Sequence, residues 1–320
     1  MTAASGRSQP RYTGILAHTK QQRFLAEAAL VYAAAIWGST FFVVKGALTQ
    51  IDPVVLVGYR FTIAGVAIGL WLLWRRVPLF TGWQNGLWLG VILWVLYLAQ
   101  TIGLSITTAS NSGFITGLFI VFVPLTNWLL YRRRAGWLQL AAVGVALIGL
   151  WLLTGGVGGI NAGDLMTLAA AVTYALHVIL AGRYMEDGTD PWVLNFQQIT
   201  VIGVLALITA AAQWGWDVLA GQAAQPAFSA RFLAGGWELW GVILFLAAFP
   251  TVSAYIAQLY GQRVVTATRA ALLFTLEPVF AALFAWTLGS EPFVALSALG
   301  GGLMVIAMLI SELPVGKKRA

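Results

Sequence analysis

Glu277 and His177 stand deep inside apolar runs of this chain, and each is a residue type that can do chemistry there. At bilayer depth an ionisable group costs about 2.5–3.5 kcal/mol on insertion scales, so each needs a reason. Glu277 directly precedes Pro278. It can relay a proton or cation, or make a polar contact to a bound solute. The static alternative is that Pro278 removes an intrahelical bond and Glu277 satisfies the freed groups or pairs with a base. His177 shares a helical face with Thr173 and Tyr174. It can bond a solute or take a proton near neutral pH, or simply be satisfied by a neighbouring helix.

Lys45 and Arg60 lie toward the ends of their apolar runs, where snorkelling to the interface explains them cheaply. A gate or structural role is expected, with direct solute binding the lesser alternative. Trp37, Trp94, Tyr97, Tyr174 and Tyr255 stand inside apolar runs, unlike Trp71, Trp74, Trp83, Trp137, Trp214 and Trp216, which mark run ends as an aromatic belt does. Packing accounts for the interior ones. So does an aromatic-walled cavity, since pockets favour aromatic walls with few polar groups. Gln100 and Gln258 follow Tyr97 and Tyr255 by three residues, as cavity groups or as interhelical glue. Pro124 and Pro278 are expected to break their helices in roughly corresponding places, as hinges or kinks. These residues are expected to bind a solute or shape its path. No catalytic group, cofactor or metal is expected: the chain has no Cys, no Gly-Lys-Ser/Thr phosphate loop and no paired His, and its serines have no His nearby in sequence.

The elements that must position these groups follow from composition. Hydrophobic residues make up 60% of the 320 and charged residues 9%, too few for a soluble surface, where about a quarter is usual. The mean hydropathy is +0.84. This excludes a soluble enzyme, a disulfide scaffold and a disordered chain, and predicts a polytopic all-α membrane protein. Ten apolar runs are long enough to span, at about 26–46, 54–74, 84–104, 109–130, 135–153, 164–182, 192–213, 238–260, 267–288 and 293–311. The longest connection, Trp214 to Trp237, has room for a short surface helix. Ten spans put both termini on one side. With the N-terminus inside, Arg7, Arg11, Lys20, Arg23, Arg75, Arg76, Arg132, Arg133, Arg134, Arg183, Arg263, Arg269, Lys317, Lys318 and Arg319 face the cytoplasm, against Lys45, Arg60 and Arg231 opposite. That bias predicts cytoplasmic termini in a cell or inner membrane, and it explains the net charge of +7 without nucleic acid. No cleavable signal peptide is expected, because the first apolar run is full length.

The chain also repeats. Tyr97-Leu-Ala-Gln-Thr-Ile-Gly-Leu-Ser-Ile-Thr-Thr-Ala109 aligns with Tyr255-Ile-Ala-Gln-Leu-Tyr-Gly-Gln-Arg-Val-Val-Thr-Ala267 at an offset of 158, which also carries Gly144 onto Gly302. Asp52-Pro53 aligns with Asp190-Pro191 at an offset of 138, the difference falling in the long connection. A duplication of five spans inverts the second copy, a recurrent transporter design with its site near the midplane. The expected organisation is a tail at 1–25, five-helix repeats at 26–155 and 163–311, and a basic tail at 312–320.

Ala35-Ile-Trp-Gly-Ser-Thr-Phe-Phe-Val-Val-Lys45, Tyr59-Arg60-Phe61, Thr108-Ala-Ser-Asn-Ser-Gly-Phe-Ile-Thr-Gly-Leu-Phe-Ile-Val-Phe-Val-Pro124, Leu276-Glu-Pro-Val-Phe-Ala-Ala282 and Gly289-Ser-Glu291 together resemble the drug/metabolite transporter superfamily, in its EamA-type ten-helix branch. The resemblance covers about residues 28 to 311. It implies export or exchange of small organic solutes by alternating access, with YddG-type exporters of aromatic and other amino acids as the nearest understood relatives. Amino acids or similar amphipathic metabolites are the expected cargo. Other metabolites, cationic drugs and, further off, an intramembrane enzyme are the alternatives. The internal duplication makes a second copy unnecessary, so a monomer is expected. Two departures from the repeat stand out: Arg133 in the first half corresponds to Glu291, and Arg60 to Gln198.

Overall fold

The computed structural model describes residues 19–132, 136–155, 159–186, 189–221, 236–265, 270, 273–311 and 313. Both terminal tails lie almost wholly outside these residues. So do most of the long connection and the side chains of Arg7, Arg11, Arg133, Arg134, Arg231, Arg263, Arg269, Lys317, Lys318 and Arg319. Among the described residues the structure is helical without strands.

The first half runs α1 (Lys20–Ala47), α2 (Pro53–Trp74), α3 (Trp83–Ile106), α4 (Ala109–Gly117), α5 (Phe119–Tyr131) and α6 (Trp137–Leu153). The second runs α7 (Ala162–Glu186), α8 (Pro191–Leu219), α9 (Trp237–Leu246), a π-helical stretch Ala247–Ser253, α10 (Ala254–Val264), α11 (Leu276–Thr287) and α12 (Ala295–Ser311). Seven of the crossings, with α4–α5 and α9–α10 each taken as one, are long and apolar enough to span a bilayer. Helices α6 and α12, at 17 residues each, reach the lower limit for a span. Helix α11 has 12 residues and continues a span whose earlier part is helical at Ala270, Leu273 and Phe274.

Local chemistry sets the ends. Thr19 and Gln22 form a capping box, Gln22 N donating to Thr19 Oγ1 at 3.2 Å and Thr19 N to Gln22 Oε1 at 2.9 Å. This carries α1 six residues ahead of its apolar run. Asp52 caps α2 by accepting from Val54 N at 2.8 Å and Val55 N at 3.2 Å, and Asp190 caps α8 by accepting from Trp192 N and Val193 N at the same distances. Each is followed by proline at the first helical position, where no N–H is needed.

The helices pack in reciprocal pairs. α2 lies on α8, α6 on α12, α3 on α7, and α1 on both α10 and α11. At the α2–α8 crossing a methyl on Gly65 would meet Thr200 Oγ1 at 2.9 Å, and one on Gly203 would meet Thr62 N and Oγ1 at 2.6 Å. Thr62 and Gly65 map onto Thr200 and Gly203 by the offset that joins the two capping aspartates. Small residues here let the backbones approach. Large apolar side chains on the outside are exposed, among them Leu70, Leu129, Leu147, Ile208 and Leu244. The tryptophans at helix ends, Trp74, Trp83, Trp137 and Trp216, are exposed too, as an aromatic belt requires.

The interruptions lie elsewhere than the prolines alone predict. Pro124 sits inside α5, while the break precedes it at Leu118, between α4 and α5. Pro278 lies in the first turn of α11, after a break at Thr275, where its missing N–H leaves no intrahelical bond unmade. The 158-residue offset carries Leu118 onto Leu276, so the two breaks agree within one residue where the prolines differ by four. Helix α8 also runs to Leu219, six residues past its expected end.

Candidate functional site

A cavity lies where the two halves meet. The first half contributes Trp37, Thr40 and Phe41 from α1, Arg60 from α2, Leu96, Tyr97 and Gln100 from α3, and Thr116 from α4. The second contributes Tyr174 from α7, Tyr255 from α10 and Glu277 from α11. Its volume is about 40 Å³, room for a few water molecules.

The wall is knitted across the halves. Trp37 Nε1 donates to Pro250 O at 2.8 Å, and its ring meets Tyr255 edge-on at 5.5 Å. The Tyr97 and Tyr255 hydroxyls, repeat mates at the offset of 158, lie 3.3 Å apart. Gln100 Nε2 donates to Thr116 Oγ1 at 3.0 Å. Phe119 meets Tyr174 in a tilted contact at 4.4 Å between centroids.

Two ionisable side chains stand in this wall. Arg60 is buried, 8% exposed, and its Nε donates to Thr251 Oγ1 at 2.9 Å. Its guanidinium lies 5.1 Å from the Phe61 ring centroid and 5.7 Å from that of Tyr97. Glu277 sits in the first turn of α11, where the positive end of the helix dipole favours a carboxylate. Gly38 lets α1 come against that turn: a methyl there would lie 2.7 Å from Glu277 O.

The π-helical stretch explains how Thr251 and the Pro250 carbonyl reach the site. Pro250 has no N–H for the Leu246 carbonyl, so an α-helix would leave that acceptor unpaired. Thr251 Oγ1 donates to Leu246 O at 2.9 Å instead, and the widened turn, a form often seen at functional sites, turns the hydroxyl toward Arg60.

Of the residues expected to bind a solute, Trp37, Tyr97, Gln100, Tyr174, Tyr255 and Glu277 line the cavity, and Trp94, His177 and Gln258 do not. Trp94, on α3, packs against the buried residues that α2, α3 and α8 share, its Nε1 buried without a partner among the described residues. His177 is buried between α7 and α8, its Nε2 3.0 Å from Gln198 Oε1, while Gln198 Nε2 donates to Asn195 Oδ1 at 2.5 Å. Gln258 is half-buried on α10.

Of the four gate or structural residues, Arg60 belongs to the cavity wall. Lys45 caps α3: its Nζ donates to the carbonyls of Leu104 at 2.8 Å, Ser105 at 3.2 Å and Thr107 at 2.7 Å, a cation at a helix C-terminus. Beside it Thr107 Oγ1 bonds Asp164, and Glu291 accepts from Ala109 N at 2.5 Å and from Ser110 N and Oγ at 3.2 and 2.7 Å. This polar cluster joins α1, α3, α4, α7 and the α11–α12 connection at one end of the bundle.

Thr40, Phe41, Leu96, Thr116, Pro250 and Thr251 were not singled out by sequence. Thr40 had a signal, since it follows Trp37 by three residues on one helical face. So did Pro250-Thr251, a proline inside an apolar run. Leu96 and Thr116 had none. Among the described residues no group of His, Asp and Glu could hold a metal.

The EamA-like transporter family model matches residues 24–155 and again 161–312. Similar proteins include an uncharacterized transporter of Archaeoglobus fulgidus, 29% identical over 92% of this chain and 88% of that one. The uncharacterized inner membrane transporter YedA of Escherichia coli K12 is 27% identical over 89% and 90%, and the uncharacterized transporter YyaM of Bacillus subtilis is 23% identical over 86% and 89%. One crystal structure superposes with a TM-score of 0.58 at 18% identity, covering 89% of this chain and 95% of that one.

Proposed function

The chain belongs to the EamA-like transporter family and is a membrane transporter, and from that premise we propose that it exports amino acids or similar amphipathic metabolites by alternating access. The cargo binds in the cavity between two inverted halves, residues 26–155 and 163–311, which rock about it. The observation that carries this reading is the cavity wall itself: aromatic rings from both halves, with a guanidinium and a carboxyl group among them. A zwitterion with an apolar body matches such a wall better than a cationic drug, which Arg60 would repel.

Several features support the inverted arrangement. The reciprocal Gly65–Thr200 and Gly203–Thr62 contacts, the matching aspartate caps and the matching breaks near Leu118 and Thr275 are what two inverted copies would produce. The small cavity supports alternating access, because about 40 Å³ cannot hold an amino acid until the halves move apart.

The family's branch with YddG-type amino-acid exporters is the reference for cargo, and the protein acts as a monomer with both termini cytoplasmic. Counterflow in proteoliposomes against a metabolite panel, with and without a pH gradient, tests the cargo. Selective exchange of amino acids is expected, and exchange of amines alone overturns it. A cysteine introduced at Ser5 tests orientation, and labelling by an impermeant reagent from outside intact cells overturns cytoplasmic termini.

A further inference from the structure

A guanidinium carries five N–H donors in a rigid fork and keeps its charge in proteins. Among the described residues, Arg60 spends one donor, Nε, on Thr251. The remaining edge of the fork, the two terminal nitrogens, has no hydrogen-bond acceptor among the described residues. No carboxylate of the described residues pairs with it, and Glu277, in the same wall, stands apart from it. The Phe61 and Tyr97 rings soften the charge but accept no fork-shaped hydrogen bonds. A permanent charge held this way at membrane depth is costly, and the snorkelling that would relieve it is blocked, because the side chain is buried and faces the cavity.

Snorkelling therefore does not account for Arg60, and the repeat isolates it further. Its mate, Gln198, is neutral and bonded to His177 and Asn195, so the scaffold tolerates a neutral amide at this register. The Thr251 bond has a directional consequence. Thr251 is itself held by Leu246 O at 2.9 Å, so its oxygen is a fixed acceptor, and a planar group bonded through Nε presents its opposite edge away from that acceptor.

We propose that Arg60 is the anchor for a carboxylate group of the cargo and that Thr251 is the positioning residue that aims its fork into the cavity. This inference rests on the reading of the cavity as the cargo site, and narrows it to carboxylate-bearing solutes. A bidentate pair of parallel N–H···O bonds matches a planar carboxylate. A lysine would offer charge without that geometry.

The test uses the full-length protein and three probes that share a phenyl ring: L-phenylalanine, 3-phenylpropionate, which lacks the amine, and 2-phenylethylamine, which lacks the carboxylate. Binding is read from tryptophan fluorescence, with Trp37 in the wall as reporter, and transport from counterflow. Wild type is expected to bind both carboxylates. Arg60→Gln is expected to weaken both by about 10- to 100-fold, the worth of charge-assisted hydrogen bonds, and to leave 2-phenylethylamine unweakened or bound more tightly, since the repelling charge is gone. Arg60→Lys recovers part of the loss. Thr251→Val, which keeps the side-chain shape, is expected to weaken the carboxylates alone by about 3- to 10-fold. Equal losses for all three probes, or a wild type that binds neither carboxylate, overturn the anchor. If Arg60→Gln does not fold, Thr251→Val decides: a selective loss supports the anchor and a uniform loss overturns it. Exchange of 3-phenylpropionate without L-phenylalanine would sink the amino-acid reading and leave the anchor standing. Exchange of 2-phenylethylamine alone would sink the anchor and leave a transporter.

Discussion

Helices α2 and α8 begin alike and diverge within two turns. Both open with aspartate and proline, both cap residues accept from the same two backbone positions at the same distances, and both cross their partner through a glycine set against the other's threonine. Yet Arg60 faces the cavity where its mate Gln198 is locked into a side-chain chain with His177 and Asn195. The same contrast recurs at α5 and α11. Phe119, an aromatic packed at a tilt against Tyr174, is the mate of Glu277, a carboxyl group in the cavity wall. Positions that hold helices together are duplicated, and so are Tyr97 and Tyr255, but the two ionisable positions of the cavity wall, Arg60 and Glu277, are not. A reciprocal crossing asks the same of both helices, whereas the proposed cargo, a zwitterion, has two unlike ends and would call for a different group at each.

The crossing gives the largest expected effect on stability. Gly203→Ala pushes a methyl onto the backbone of Thr62, which cannot turn aside, and is expected to cost about 1–3 kcal/mol. Gly65→Ala meets a hydroxyl, Thr200 Oγ1, buried without a partner and free to rotate, and is expected to cost less than about 0.5 kcal/mol. Thermal unfolding in detergent reads both. Equal losses would mean that the two sides of the crossing are more alike than these contacts show.

Glu277→Gln breaks the comparison from the other side. A carboxylate holds an ammonium group only while ionised, so transport of an amine-bearing solute by the wild type is expected to weaken as the medium is acidified. Gln keeps the shape and cannot titrate. The variant is expected to move such solutes about tenfold more slowly with a flat pH profile. A variant with the wild-type rate and profile would leave Glu277 a helix-start residue only.

Asp52→Ala and Asp190→Ala each remove a helix cap and are expected to cost about 1 kcal/mol. Neither should alter which solute is moved, because the caps lie in the duplicated scaffold. The smallest effects are expected at the tyrosine pair. Tyr97→Phe and Tyr255→Phe each delete one side of a 3.3 Å contact and should slow transport by about two- to fivefold. If one of them abolishes transport, its hydroxyl is doing something the pairing does not capture.

The spans were legible in the sequence because bilayer crossing demands long apolar runs, and α1, α2, α3 and α7 follow those runs closely. The cavity aromatics were partly legible, since Trp37, Tyr97, Tyr174 and Tyr255 stood where an aromatic belt does not reach. Trp94 and His177 carried the same signal and went into packing. Residue type and depth are alike for a wall residue and a core residue, and only the face turned inward separates them.

By itself the sequence determined the all-helical membrane architecture, the match of Asp52-Pro53 with Asp190-Pro191 and the correspondence of Tyr97 with Tyr255, because each rests on local composition or on a repeat that a chain carries in its letters. The tertiary structure alone decided that the breaks lie at Leu118 and Thr275 rather than at the prolines, that Pro250 opens a π-helical turn aiming Thr251 at Arg60, and that Lys45 caps α3 while Arg60 faces the cavity. Lys45 and Arg60 look equivalent in sequence, two cations near the ends of apolar runs. What separates them is which acceptors the neighbouring helices bring within reach, and those acceptors come from residues tens to nearly two hundred positions away.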